Sequence, residues 1–174
     1  MSPNKNAALE QATHLSEAPA PHAVHDIDEK QQPVTVSKRY GFTIENTRLL
    51  APEGEYCELI PNFNVSLLPN SPKHMLGIIN LRGNLVPLYK TTGTQIPKGT
   101  NAYALLIGDP KKGAAVLIYG KPKAISIQEE TPTTEVNVSA PWLEGCIDTS
   151  YHIDGETWNS INTDIFFKKL ANKR

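Results

Sequence analysis

Leu67-Leu68-Pro69-Asn70-Ser71-Pro72-Lys73-His74-Met75-Leu76-Gly77-Ile78-Ile79-Asn80-Leu81-Arg82-Gly83-Asn84-Leu85-Val86-Pro87-Leu88-Tyr89 is the stretch that decides the fold. Ser71 followed by Pro72 places an N-cap residue ahead of a proline in the first helical position, which predicts one helical turn over Pro72 to Met75, ended by Gly77. Gly83-Asn84 then reads as a two-residue hairpin loop, because glycine permits positive φ, and it closes Ile78 to Arg82 against Leu85 to Tyr89. Side chains alternate along a strand, so Ile79 and Leu81 face one way while Ile78, Asn80 and Arg82 face the other. Arg82 thus stands at a hairpin tip, where its planar fork either reaches a carboxylate on a partner or bonds loop carbonyls of its own barrel. Spacing leaves both open. Pro87 has no amide hydrogen and predicts an edge strand or a bulge.

The same style of punctuation continues on both sides. From Lys38 onward, short apolar runs recur roughly every ten residues between turn residues, the pattern of an all-β sandwich or barrel with about ten strands over residues 38 to 162. Phe63, Val65 and Leu67 alternate with Asn62, Asn64 and Ser66, predicting one wet and one buried face. Tyr103 to Ile107 and Ala114 to Tyr119 are nearly continuous apolar runs joined by Gly108 to Gly113, which predicts a hairpin covered on both faces. Asp154-Gly155 marks another hairpin, and Thr157 to Ile161 supplies its second strand. Thr163 or Asn162 then caps a short helix over Asp164 to Ala171, with Asp164 in its first turn and Lys168, Lys169 and Lys173 toward its C-terminal end. Phe166 and Leu170, four apart, pin it to the barrel.

Residues 1 to 36 differ in kind: four prolines, no glycine, no aromatic residue, and two lysines against five acidic residues predict a disordered N-terminal tail ahead of a folded domain over residues 37 to 174. Its three histidines, His14, His22 and His25, lack metal-ligand spacing and read as solvated. The 174-residue chain carries 17 basic and 18 acidic side chains, for a net charge of −1. The tail holds two of the basic and five of the acidic groups, leaving 15 and 13, so the folded region has no cationic excess of the size that phosphate binding needs. A small nucleic-acid-binding barrel is the alternative reading, with Tyr40, Phe42 and Phe63 as the only stacking platforms, and their alternation fits core packing better. No apolar run has the length of a membrane span and Met1 to Gln11 has no secretory pattern, so a cytoplasmic protein without membrane insertion is expected.

Nothing points to catalysis. His74 and His152 have no partners at metal spacing, and His74 reads as a solvated surface residue. Asp148 and Asp154 flank a hairpin and are explained by turn chemistry. Cys57 and Cys146 read as reduced, half-buried thiols, with no cation beside Cys57 to stabilise a thiolate.

The stretch from Leu68 to Pro72 and from Gly77 to Pro87, with its Asn80-Leu81-Arg82-Gly83 core, closely resembles the signature of CheW-like coupling proteins of bacterial chemosensory systems. Pro52-Glu53-Gly54-Glu55-Tyr56-Cys57-Glu58-Leu59 looks most like the PilI branch, associated with type IV pili and twitching motility. Tyr40 to Ile60, Tyr103 to Ile127 and Trp142 to Leu170 are similar to the family's first strands, central hairpin and closing elements, so the resemblance spans about residues 38 to 170. It implies an all-β fold of two intertwined five-stranded SH3-like β-barrels with a short C-terminal helix. It implies a non-catalytic adaptor, without cofactor or metal, that couples a chemoreceptor's cytoplasmic tip to the regulatory domain of a CheA-like histidine kinase in membrane-associated arrays. The receptor-docking groove carries over to Gly77, Asn80, Arg82 and Gly83, and to Glu58 and Leu59 on the facing strand. One departure is Lys90, where the family commonly has an aspartate, followed by Thr91-Thr92-Gly93-Thr94 in place of an apolar stretch.

Overall fold

The computed structural model describes residues 36–91, 101–128, 132–133 and 136–172. The predicted tail and the three histidines within it lie outside the described residues, as do residues 92–100 after Thr91 and Lys173. Twelve strands and one helix follow in order: β1 (Val36–Ile44), β2 (Thr47–Leu50), β3 (Cys57–Ile60), β4 (Val65–Ser66), β5 (Met75–Leu81), β6 (Asn84–Tyr89), β7 (Ala102–Ile107), β8 (Ala114–Tyr119), β9 (Lys123–Gln128), β10 (Pro132–Thr133), β11 (Ile147–Ile153), β12 (Glu156–Ile161) and α1 (Thr163–Asn172). A single 3-10 turn, Pro141–Leu143, precedes β11. Among the described residues, no helix is long and apolar enough to cross a membrane.

The strands form two sheets, in the orders β10-β11-β12-β2-β1-β9 and β3-β7-β8-β6-β5-β4. Each has five strands of four residues or more and one of only two, so two five-stranded SH3-like barrels account for the fold. They are intertwined, since β1 and β2 leave the first barrel, β3 to β8 build the second, and β9 to β12 return to complete the first. The return is closed by the parallel pairing of β12 with β2, and the second barrel has its own parallel contact between β6 and β8.

Period-2 alternation distributes the core. Along β7, Tyr103, Leu105 and Ile107 pack into a cluster with Phe42, Ile44 and Leu49 of the first barrel, while Ala104 and Leu106 pack with Ile79, Val86 and Leu88 inside the second. β8 divides likewise, with Val116 and Ile118 on one side and Ala115 on the other. The β7–β8 hairpin is therefore covered on both faces, as its unbroken apolar sequence predicts. Its turn is held by Asp109, whose carbonyl accepts from Lys112 and Gly113 and whose carboxylate accepts from the Lys111 amide at 2.8 Å. A third cluster, of Leu50, Ile127 and Trp158, fills the first barrel. Beside it Arg39, 7% exposed, donates through Nε to the Ala51 carbonyl at 2.7 Å and through its guanidinium to the Ser160 hydroxyl.

The helix forms where the sequence places it. Asn162 caps it, its side-chain oxygen accepting from the Ile165 amide at 3.1 Å, and Phe166 and Leu170 are fully buried in the inter-barrel cluster. Lys169 donates to the carbonyls of Trp142 and Glu144, tying the helix's last turn to the 3-10 turn.

Several local expectations differ. The predicted helical turn over Pro72 to Met75 is instead a β-turn, closed by the Met75 amide on the Pro72 carbonyl at 2.9 Å, because Met75 is already recruited into β5. His74 is 1% exposed rather than solvated, since that turn folds it inward while its carbonyl accepts from the Lys90 amide. The strand predicted around Phe63 to Leu67 shrinks to Val65–Ser66 and leaves Leu67 80% exposed, because the chain departs toward Pro69 and pairs with nothing further. Pro87 meets its expectation only locally: β6 lies between β5 and β8, but its pairing with β8 begins at Leu88, so at Pro87 that side is an open edge and the missing amide hydrogen is not required. Residue 36, placed at the end of the tail, opens β1 opposite Gln128.

Candidate functional site

The β5–β6 hairpin closes on the Leu81–Asn84 pair, so the two loop residues are Arg82 and Gly83, one position earlier than the sequence suggests. Both take positive φ, 50° for Arg82 and 86° for Gly83, the left-handed pair of a type I′ turn. Asn80 locks this turn by accepting the Gly83 amide on Oδ1 at 2.9 Å. A non-glycine residue in left-handed backbone is disfavoured, and here the side chain's own contacts hold it.

Those contacts lie on β3, an end strand of the same sheet, and on the chain entering it. Arg82 donates to both oxygens of Glu58, at 2.6 Å and 3.1 Å, and Tyr56 donates its hydroxyl to the same carboxylate at 2.6 Å. Alternation puts Tyr56 and Glu58 on one side of the chain entering β3. The pair is asymmetric in exposure: the arginine side chain is 69% exposed and the glutamate 19%. The Tyr56 hydroxyl first, and the Arg82 guanidinium after it, hold the Glu58 carboxyl below its usual range against an opposing contribution from burial. Arg82 is raised above the usual arginine value by the Tyr56 and Glu58 oxygens together. Of the two readings left open for Arg82, neither describes this arrangement, since its acceptor is a side-chain carboxylate of its own sheet.

The remaining predicted residues divide. Asn80 and Gly83 are exposed beside Arg82, and a Cβ on Gly83 would meet nothing within 4 Å. Leu59 is half-buried against the inter-barrel core, next to Glu58. Gly77 is buried rather than displayed: it lies at a register shift in β5 with φ +147°, and a Cβ there would run into the Ser66 carbonyl and the Val65 side chain of β4. It shapes the hairpin from beneath and offers no surface.

Two residues that the sequence reading passed over belong to this surface. Tyr56 precedes Glu58 by two, the spacing that places both on one face. Leu85 stands directly across from Asn80 in the hairpin, 68% exposed, and its alternation with buried Val86 and Leu88 is the signal that would have found it. Beside Asn80 an open depression of about 600 Å³ is lined by Pro61, Asn62, Phe63, Asn64 and Ala102.

Cys57, between Tyr56 and Glu58, has its thiol pushed up to about 11 by burial and then by the Glu55 charge. Cys57 and Cys146 are both unpaired thiols. Among the described residues, no three His, Cys, Asp or Glu side chains gather as a metal site. Of the three aromatic residues weighed as stacking platforms, Phe42 and Phe63 pack into the barrels, and Tyr40 is 48% exposed.

No family model matches the chain, and no curated protein does. Among solved structures, the scaffolding protein TtCheW from Thermoanaerobacter tengcongensis superposes with a TM-score of 0.61, over 76% of this chain and 88% of that one. The fold is that of CheW. Sequence identity over the superposition is 16%, so the likeness to CheW is one of backbone architecture, and the Arg82 hairpin reading rests on the residues themselves.

Proposed function

We propose that the chain is a non-catalytic adaptor that couples a chemoreceptor to a CheA-like histidine kinase in a chemosensory array. The observation that carries this reading is the Arg82 turn: a hairpin tip locked by Asn80, braced on Glu58, and raised on a barrel with the CheW fold. Such a rigid tip suits docking rather than turnover, because its side chains are fixed by one another and surround no reacting centre. Asn80, Arg82 and Gly83 form the receptor-facing surface in this reading, Glu58 and Leu59 flank it, and Gly77 supports it from below. The receptor element is its cytoplasmic helical tip, and the kinase's regulatory domain occupies a different face. Two contacts on one stiff body pass a receptor rearrangement to the kinase as a change of relative position. Each needs only modest affinity when the contacts repeat through an array.

The likeness of Pro52 to Leu59 to the PilI branch supports a role in twitching motility driven by type IV pili. The chain then works in the cytoplasm and reaches the membrane through its receptor. Co-purification of the full chain with a receptor cytoplasmic fragment and a CheA-like kinase tests the coupling. A ternary complex is the expected result. A folded protein that retains neither partner, or that shifts single-stranded nucleic acid instead, overturns the proposal.

A further inference from the structure

At the mouth of the first barrel, where β8 of the second sheet runs on into β9, lies a cavity of about 220 Å³ lined by β1, β2, β12, the end of β8 and the β8–β9 turn. Its charged residues are Arg48, Lys121, Lys123 and Glu156. Arg48 and Glu156 neutralise one another in an ion pair of 2.5 Å. Lys121 and Lys123 are exposed and make no ion pair among the described residues, so the mouth keeps two uncompensated positive charges. Phe42, Ile118 and Trp158 close its floor, each almost fully buried.

A second observation concerns the backbone. Lys123 opens β9, which pairs with β1 on one side and ends its sheet, so no described strand takes its outward hydrogen-bonding groups. An unpaired edge is a template for an added strand, and its side-chain environment selects which strand. Here that environment is two lysines spaced by one residue.

We infer that this mouth binds an acidic polypeptide segment in extended form, laid along β9 with its carboxylates on Lys121 and Lys123. A free small anion would use the lysines alone, whereas an extended segment uses the edge and the charges together. The inference stands independently of the coupling role assigned to the Arg82 surface.

The test is a titration of the full chain with a capped synthetic hexapeptide of alternating aspartate and valine, followed by amide chemical shifts. Shifts are expected at Gly41, Gly120 and Lys123 to Ser126. The affinity should fall at least about tenfold in Lys121→Glu/Lys123→Glu, and by a similar factor between about 50 and 500 mM salt, as screening of solvated charges requires. Lys121→Gln/Lys123→Gln should lose less, and since both lysines are exposed, an unchanged melt is expected for either variant. The inference is overturned by equal binding of an asparagine–valine peptide, by shifts confined to other surfaces, by no shifts at all, or by succinate moving the same amides with the same affinity.

Discussion

Glu58 on β3 accepts hydrogen bonds from both terminal nitrogens of Arg82 in the β5–β6 turn, an ion pair that joins an end strand of the second barrel's sheet to a hairpin beyond β7 and β8. The edge strand β3 is thereby latched to the hairpin, and the latch positions the residue argued to meet the receptor. A bidentate carboxylate contact fixes a guanidinium plane as well as its location, which a lysine could not do.

Replacement of Arg82 should therefore separate docking from folding. Arg82→Glu and Arg82→Ala are expected to weaken capture by a receptor cytoplasmic fragment while shifting the thermal melt by no more than a few degrees, because the side chain is largely exposed. Arg82→Asn keeps a residue that tolerates the turn's positive φ and removes only the fork. Full binding by a folded Arg82→Glu variant would take the residue out of the docking surface.

The carboxyl of Glu58 offers a titration readout of the same latch. It lies below its usual range because the Tyr56 hydroxyl and Arg82 favour its charged form. A carboxyl lowered by folding contributes stability that is present above the ordinary value of 4.5 and is lost as pH falls through the lowered folded value. Carbon-detected titration should show the Glu58 midpoint rising in Tyr56→Phe and again in Arg82→Asn. A midpoint unmoved by both changes would show that neither partner holds the charge.

Gly77 and Gly83 share positive φ but differ in surroundings, and their alanine variants should differ accordingly. Gly83→Ala adds a methyl to open space at φ +86° and is expected to cost about 1 kcal/mol. Gly77→Ala drives a methyl into the Ser66 carbonyl at φ +147° and should cost about 2–4 kcal/mol, or detach β4. Denaturant melts of the two variants decide whether close approach or backbone freedom alone explains the first glycine.

Cys57 should be inert at neutral pH. With the thiol pushed up to about 11, alkylation by iodoacetamide at pH 8 is expected to be slow in the native protein and to accelerate through about pH 11, while urea restores an ordinary rate. The native thiol holds its proton more tightly than an unfolded one, so this group's contribution to stability declines as pH rises between 9.0 and about 11. Fast native alkylation at pH 8 would mean that the site opens readily.

Removal of the helix's inward face should be felt in the barrels. Phe166→Ala is expected to cost about 3–5 kcal/mol and Leu170→Ala about 2–5 kcal/mol, since both are fully buried among residues from the two sheets. Ile165→Ala, at a position 39% exposed, should cost far less.

Elements governed by unbroken periodicity were legible in the residues: the β7–β8 hairpin, the Asp154-Gly155 turn and the capped C-terminal helix all stand where alternation and capping place them. What escaped was decided by contacts distant in sequence. The Arg82–Gly83 turn is offset by one residue because arginine is an unlikely occupant of left-handed backbone until Glu58, 24 positions away, secures it. His74 becomes buried because its turn folds under the neighbouring strand end at Lys90, which no local pattern announces. Of the surface around Arg82, the motif supplied Asn80, Arg82 and Gly83, whereas the amide lock, the Tyr56 brace and the Leu85 flank required the structure.

The β7–β8 hairpin carries one last implication. Leu105 and Leu106 are neighbours in the chain yet belong to different hydrophobic interiors, so the same partition serves both halves of the molecule. Neither half can melt without stripping a wall from the other. Heat should dissolve the whole body in a single calorimetric step, and a push delivered at one end should arrive at the other as displacement instead of being absorbed by a soft joint.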